Sequence, residues 1–162
     1  LYCLRKTLPS RLSRQGKGRR MMEPLHLHYE VDGSDFTLAG ETSSKVKKML
    51  SKLGFAPETI RRTAIAMYEG EINMVIHANG GYIDVDILPD RVICILQDTG
   101  PGIPDVEKAM QEGFSTASNQ VRELGFGAGM GLPNMKKYTD DMKIDTILGQ
   151  GTCVTLTILT NH

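Results

Sequence analysis

The sequence has no tryptophan, 6% aromatic residues, three cysteines and no net charge over its 162 residues. Each shortage excludes something. Cys3, Cys94 and Cys153 are far apart and form no CxxC pair, so neither a disulfide-stapled miniprotein nor a thiol redox motif is present, and the odd count suits a reducing compartment. Cys94 and Cys153 sit in apolar, β-branched runs, where they read as small buried hydrophobes. His26, His28, His77 and His162 have no zinc spacing with them, so a structural metal is not expected. No run of 18 apolar residues exists to span a membrane as a helix. A zero net charge argues against nucleic-acid binding by bulk electrostatics. Neither a P-loop GxxxxGK[ST] nor the dinucleotide GxGxxG is found: Leu132 stands where Gly127-x-Gly129 would need its third glycine.

The neutral balance hides an asymmetry. Residues 1–20 carry seven Lys/Arg and no acid, leaving twelve basic against nineteen acidic side chains beyond, a net −7. The chain starts with Leu1, and Met21-Met22 is a natural place to begin. Residues 1–20 are read as a basic, disordered leader of vector or read-through origin, with a targeting tail as the rival. Residues 21–162 form one domain, long enough to close a single core.

Alternation over Leu25–Val31 predicts a half-buried strand, Asp32-Gly33-Ser34-Asp35 a turn, and Phe36–Ala39 a resumed strand. Thr42, Ser43 or Ser44 is placed to cap a helix bearing Val46, Met49, Leu50 and Leu53, ended by Gly54. Pro57 opens the longest helical pattern, which runs to Ala78 with Gly70 as its weak point and apolar residues on several sides, as in a largely buried helix. Tyr82–Leu88 and Val92–Leu96 form a hairpin around Pro89-Asp90-Arg91. Seven of the 17 glycines fall between Gly100 and Gly131, a region expected to hold a helix at Asp105–Glu112, a long glycine-punctuated loop and a helix from about Leu132 to Tyr138. Lys143–Leu148 and Thr152–Leu159 form a second hairpin. This order predicts an α+β layer, a mixed sheet with helices on one face, and a cleft between the long helix and the glycine loop.

Four patterns can carry chemistry. On the long helix, Glu69, Asn73 and His77 recur every fourth residue and share one stripe. The carboxylate can take a proton from a hydroxyl or water, and the amide oxygen is a neutral hard ligand suited to Mg²⁺. Glu71 points to the opposite side. Asp98-Thr99-Gly100-Pro101-Gly102-Ile103 follows a strand. The acid can accept from an adenine amino group, the glycines admit a flat ring, and Ile103 supplies an apolar wall. Gly125-Phe126-Gly127-Ala128-Gly129-Met130-Gly131-Leu132 leads into a helix, an arrangement that aims backbone N–H groups at a phosphate chain. Gly149-Gln150-Gly151-Thr152 turns between the last strands with a useful hydroxyl. Taken singly, these also read as a solvated stripe, an ordinary turn, a hinge and a hairpin.

Their order and placement resemble the GHKL ATPase superfamily of gyrase, the heat-shock chaperone, histidine kinases and mismatch-repair ATPases, over about residues 25–159. Within it, Glu69-x-x-x-Asn73-x-x-x-His77 and the compact lid beginning near Phe114-Ser115-Thr116 are most similar to bacterial anti-sigma-factor serine/threonine kinases. The resemblance implies a two-layer α/β sandwich of the Bergerat ATP-binding type, with ATP and Mg²⁺ as cofactors. Glu69 would be the general base and Asn73 the Mg²⁺ ligand, with His77 on the same nucleotide-facing stripe. Asp98 would read adenine, supported by Thr152. Gly100, Gly102 and Ile103 would shape the base pocket. Ser115, Thr116, Gly125, Gly127, Gly129, Gly131 and Leu132 would form the lid, and Arg122 would reach the γ-phosphate. The implied partners are a sigma factor and an anti-anti-sigma antagonist, in a cytoplasmic homodimer with no membrane or direct nucleic-acid contact. The alternatives are an ATP-binding regulatory module without transfer and a detached histidine-kinase catalytic domain.

Overall fold

A computed structural model describes residues 23–123 and 127–160. The basic leader, Gly125 and His162 lie outside the described residues. The elements are β1 (Leu25–Asp32), a 3₁₀ turn (Phe36–Leu38), α1 (Glu41–Lys52), α2 (Pro57–Ala78), β2 (Gly80–Ile87), β3 (Arg91–Gln97), α3 (Val106–Ala109), α4 (Asn119–Glu123), α5 (Gly131–Lys137), β4 (Asp141–Ile147) and β5 (Gly151–Leu159).

The five strands form one sheet in the order β1-β2-β3-β5-β4. Its layers follow from period-two alternation. One row across it reads Leu27, Val85, Cys94, Leu156 and Met142. The next reads His28, Asp84, Ile95, Thr155 and Lys143. The apolar row belongs to a core shared with Val46 and Leu50 of α1, Met67, Met74 and Val75 of α2, and Met135 of α5. The helices therefore cover one face. On the other face, cross-strand pairs hold the β1 edge: His28 Nδ1 lies 2.6 Å from Asp84 and His26 Nδ1 2.7 Å from Asp86.

The expected mixed sheet is antiparallel at every pairing. The crossover through α3, α4 and α5 does join two strands of like direction, β3 and β4. However, the β4–β5 hairpin places β5 between them, so no parallel neighbours meet. Phe36–Leu38 is a 3₁₀ turn and not a strand, because Asp35 accepts from Thr37 N at 2.8 Å and closes a local turn instead. The lid contains α4, in a stretch free of glycine ahead of the Gly125–Gly131 cluster. Helix α3 is shorter than expected, capped by Asp105 on Lys108 N at 2.9 Å.

Helix α2 begins with Pro57 and ends at Asn79 in the left-handed conformation. Gly70 is a close-packing position: a Cβ there would lie 2.3 Å from Leu96 Cδ2 and 3.1 Å from Met135 Cε. It lets β3 and α5 approach the helix together. Helix α1 is not capped by its own hydroxyls. Its N-cap is Gly40, and Glu71, only 1% exposed, accepts from Thr42 N at 3.0 Å and Ser43 N at 2.9 Å. A carboxylate of α2 thus satisfies the orphan donors of α1.

The topology gathers several chain segments at one end of the sheet. β1, β3 and β4 finish there, β2 and β5 start there, and the C-terminus of α2 arrives beside them.

Candidate active site

A cleft of about 650 Å³ opens between the second half of α2, the loop after β3 and the lid. Among the expected residues, Glu69, Asn73, His77, Asp98, Gly102, Ile103, Ser115, Thr116, Gly127, Gly129, Gly131, Leu132 and Thr152 line it. Two do not. Gly100 lines an adjoining open hollow of about 660 Å³ with Phe36, Asn79 and Gly149, and a Cβ on it would strike Ala78 Cβ at 2.6 Å. Arg122, exposed on α4, donates to Ser115 O at 3.2 Å and is not part of the cleft wall. The cation in the wall is Lys108 of α3, whose Nζ also lies 5.0 Å from the Phe114 ring centroid.

At the inner end, Asp98 follows β3. Its Oδ1 accepts from Gly100 N at 2.8 Å and Thr152 N at 3.1 Å. Both bonds fall on one oxygen, so among the described residues Oδ2 keeps its accepting capacity for a donor from the cleft. The close approach that brings Thr152 N here needs Gly151: at φ +125°, its Cβ would sit 2.2 Å from Asp98 O. Thr152 Oγ1 lies 3.0 Å from Thr146 Oγ1, which accepts from Ile103 N at 2.9 Å. Gly149 N donates to Pro101 O at 2.9 Å. These bonds lock the post-β3 loop to the last hairpin and fix the walls around the acid.

Along α2, Glu69 and Asn73 are half-buried. Glu69 Oε1 accepts from Asn134 Nδ2 at 2.7 Å. Asn73 Nδ2 has Met135 Sδ at 4.0 Å, and among the described residues its carbonyl oxygen has no hydrogen-bond donor. His77 is exposed at the cleft mouth; desolvation by the protein behind it lowers its pKa from 6.5, against the upward pull of Asp98.

The lid is tied at its base, where Gly113 N donates to Gly129 O at 2.9 Å. Gly129, at φ +75°, packs so closely that a Cβ would lie 2.4 Å from Gly113 C. Gly131 approaches Asn73 in the same way, at 3.1 Å from both amide heteroatoms to its Cβ position. The lid's end therefore rests on the polar stripe of α2, and bulk at either glycine would push them apart.

This donor set fits an adenine nucleotide with a magnesium ion. Asp98 offers an acceptor against apolar walls, the glycine cradle has no side chains to obstruct it, and Asn73 offers a neutral oxygen. Thr146, Lys108 and Asn134 escaped the sequence reading. Thr146 and Asn134 hydrogen-bond other cleft residues and belong to no motif, and Lys108 lies on a four-residue helix with no spacing signal.

An open-faced antiparallel sheet, an acid at the end of its central strand and a glycine-rich lid define an ATP-binding class. The chain belongs to the family described as histidine kinase-, DNA gyrase B- and HSP90-like ATPase, whose model matches residues 61–162. It is 33% identical over 110 residues to serine/threonine-protein kinase RsbT of Bacillus subtilis, covering 65% of this chain and 77% of that protein. It is 34% identical over 105 residues to anti-sigma F factor of Caldanaerobacter subterraneus subsp. tengcongensis, covering 62% and 70%. Anti-sigma F factor of Bacillus subtilis is 27% identical over 143 residues, covering 85% and 92%. The solved RsbU and RsbW domains from Mycobacterium tuberculosis share the fold, with a TM-score of 0.57 at 18% identity over 87% of this chain and 34% of that one.

Proposed function

We propose that the chain is an ATP- and Mg²⁺-dependent serine/threonine protein kinase of a partner switch, which phosphorylates a serine on an anti-anti-sigma antagonist and otherwise holds a sigma factor. The observation that carries this reading is the placement of Glu69 and Asn73 one helical turn apart in the wall of the cleft that holds Asp98 at its inner end. Relatives named as a serine/threonine kinase and as anti-sigma factors support the partner class.

Asp98 binds the adenine amino group through Oδ2 while Gly100 and Thr152 hold its other oxygen. Gly102 and Ile103 flank the base. Asn73 would hold Mg²⁺ through its amide oxygen, and the ion would supply charge neutralisation on the triphosphate. Gly127, Gly129 and Gly131 let the lid backbone approach the phosphates, with Ser115 and Thr116 at its start. Lys108 is the cationic side chain of the wall, in place of the Arg122 role expected from the sequence. Glu69 accepts the proton of the attacking serine hydroxyl. Residues 21–162 act as one domain, a cytoplasmic homodimer without direct nucleic-acid or membrane contact.

The test is transfer from γ-labelled ATP to the antagonist with magnesium present. Label on an antagonist serine, lost in Glu69→Gln, is the expected result. Nucleotide binding with no transfer in wild type would favour the regulatory module without phosphotransfer, a reading that the position of Arg122 outside the cleft wall supports. Label on a histidine would return the chain to the histidine-kinase class. No affinity for adenine nucleotides would overturn the whole reading.

A further inference from the structure

Helix α5 is the anchor on which the lid ends, and it lies directly against the polar stripe of α2. Gly131 packs on the Asn73 amide, Met135 sits beside both Asn73 and Gly70, and Asn134 donates to Glu69. These three residues occupy one face of α5, at i, i+3 and i+4. A carboxylate only accepts hydrogen bonds, so the amide nitrogen of Asn134 must be the atom turned toward Glu69. At 2.7 Å this is a short, charge-assisted bond. It uses Oε1, and Glu69 has no second hydrogen bond among the described residues, so Oε2 is left for an incoming hydroxyl.

We propose that Asn134 is a positioning residue for the base of the transfer reaction: it fixes the Glu69 carboxylate from the lid side, so that lid and base move as one unit. The inference rests on the assignment of Glu69 as the base. The arrangement is the one activated nucleophiles use elsewhere, a base held by a third group that does not itself touch the reacting atoms. Holding the carboxylate matters because proton transfer demands hydrogen-bond distance in the reactive complex, and small misplacements cost rate steeply. The same bond couples occupancy to chemistry: displacement of α5 by the lid withdraws the group that orients the base.

The test uses the full chain with its antagonist and Mg-ATP, and compares wild type with Asn134→Ala, Asn134→Asp, Glu69→Ala and the double variant Glu69→Ala/Asn134→Ala. Asn134→Ala is expected to lower kcat by about ten- to a hundred-fold with the ATP KM and the nucleotide Kd unchanged. Asn134→Asp keeps the shape but replaces the donor with an acceptor, so it is expected to fall at least as far. A packing role would leave it near wild type. The double variant is expected to match Glu69→Ala alone, because a residue that works through Glu69 has nothing left to position. Thermal melting of each variant separates these effects from unfolding, and the Asn134 side-chain amide resonances should shift in Glu69→Ala. Additive losses, a wild-type rate in Asn134→Asp, or faster transfer in Asn134→Ala would overturn the inference while leaving Glu69 as base. Full activity in Glu69→Ala, or no transfer by wild type, would remove the base assignment and this inference with it.

Discussion

Glu69 and Glu71 stand two positions apart on α2 with the same side chain, yet the structure puts them to opposite uses. A two-residue step turns a helix by about 200°. Glu69 faces the cleft, half-buried, with one oxygen held by Asn134. Glu71 is buried against α1, with both oxygens engaged by Thr42 N and Ser43 N. On the α1 side both oxygens of the carboxylate are matched to donors. On the cleft side, among the described residues, bonding capacity is left over at Glu69, Asn73 and Asp98. Among the described residues the buried side-chain atom without a hydrogen-bond partner is Gln97 Oε1, at the end of β3 next to Asp98, so unmet bonding capacity gathers at this end of the sheet.

The largest effect expected from this contrast is on the cleft side. Glu69→Gln retains an acceptor for Asn134 but cannot take a proton, so phosphotransfer should fall by about 10²–10⁴-fold. Its melting temperature should stay close to wild type, since the isosteric amide keeps the shape of the side chain and an acceptor for Asn134. A loss of stability together with rate would mean that Glu69 is structural after all.

Glu71→Ala should show the inverse pattern. It strips two buried N–H groups of their acceptor at about 1–3 kcal/mol each, and a net loss of about 2–4 kcal/mol is expected by urea denaturation. The midpoint should fall while the slope stays fixed. Retained stability would show that α1 finds another cap.

Asp98 lies between the two cases, because one of its oxygens is structural and the other is spare. Asp98→Asn keeps the acceptor for Gly100 and Thr152 but turns an amide donor toward the cleft. Mg-ATP affinity by titration calorimetry should drop by about 1–3 kcal/mol, roughly five- to 150-fold. Unchanged affinity would place Asp98 with Glu71, as a purely structural acid.

The sequence disclosed the cleft side better than the α1 side. Strand runs on either side of turn residues located both hairpins, and a long stretch from Pro57 to Ala78 with no internal proline located the buried helix, although its apolar residues fall on several sides. The DxGxG and glycine-loop patterns were legible as glycines at fixed offsets, and the structure packs Gly102 against Ile147 and Gly129 against Gly113. Antiparallel pairing throughout was not, since it depends on β5 entering between β3 and β4, and no local pattern encodes strand insertion. Nor was the capping of α1 by Glu71, a contact between residues 28 and 29 positions apart. Arg122 was assigned by its place in the lid, but α4 directs it to Ser115 O, whereas Lys108 reaches the cleft from a helix too short to leave a periodic signature.

The smallest expected effect contrasts two histidines in the same terms. His28, on the outer face of the sheet, hydrogen-bonds Asp84 and then Glu30, and these acceptors raise its pKa above 6.5. His77, at the cleft mouth, is lowered from 6.5 by desolvation, only partly opposed by Asp98. The stability contributions therefore have opposite signs. That of His28 is fully present below its unfolded value and is lost as pH rises through its raised folded value. That of His77 is present above its unfolded value and is lost as pH falls through its lowered folded value. Both rings are substantially exposed, so solvent screening keeps the energies small, and ring-proton NMR titration is the sensitive readout. His28 should titrate above His77, and Asp84→Asn should move His28 down while leaving His77 in place. Coincident curves would mean that the outer face and the cleft mouth are equally open to water, and that the cleft carries no desolvated wall at its entrance.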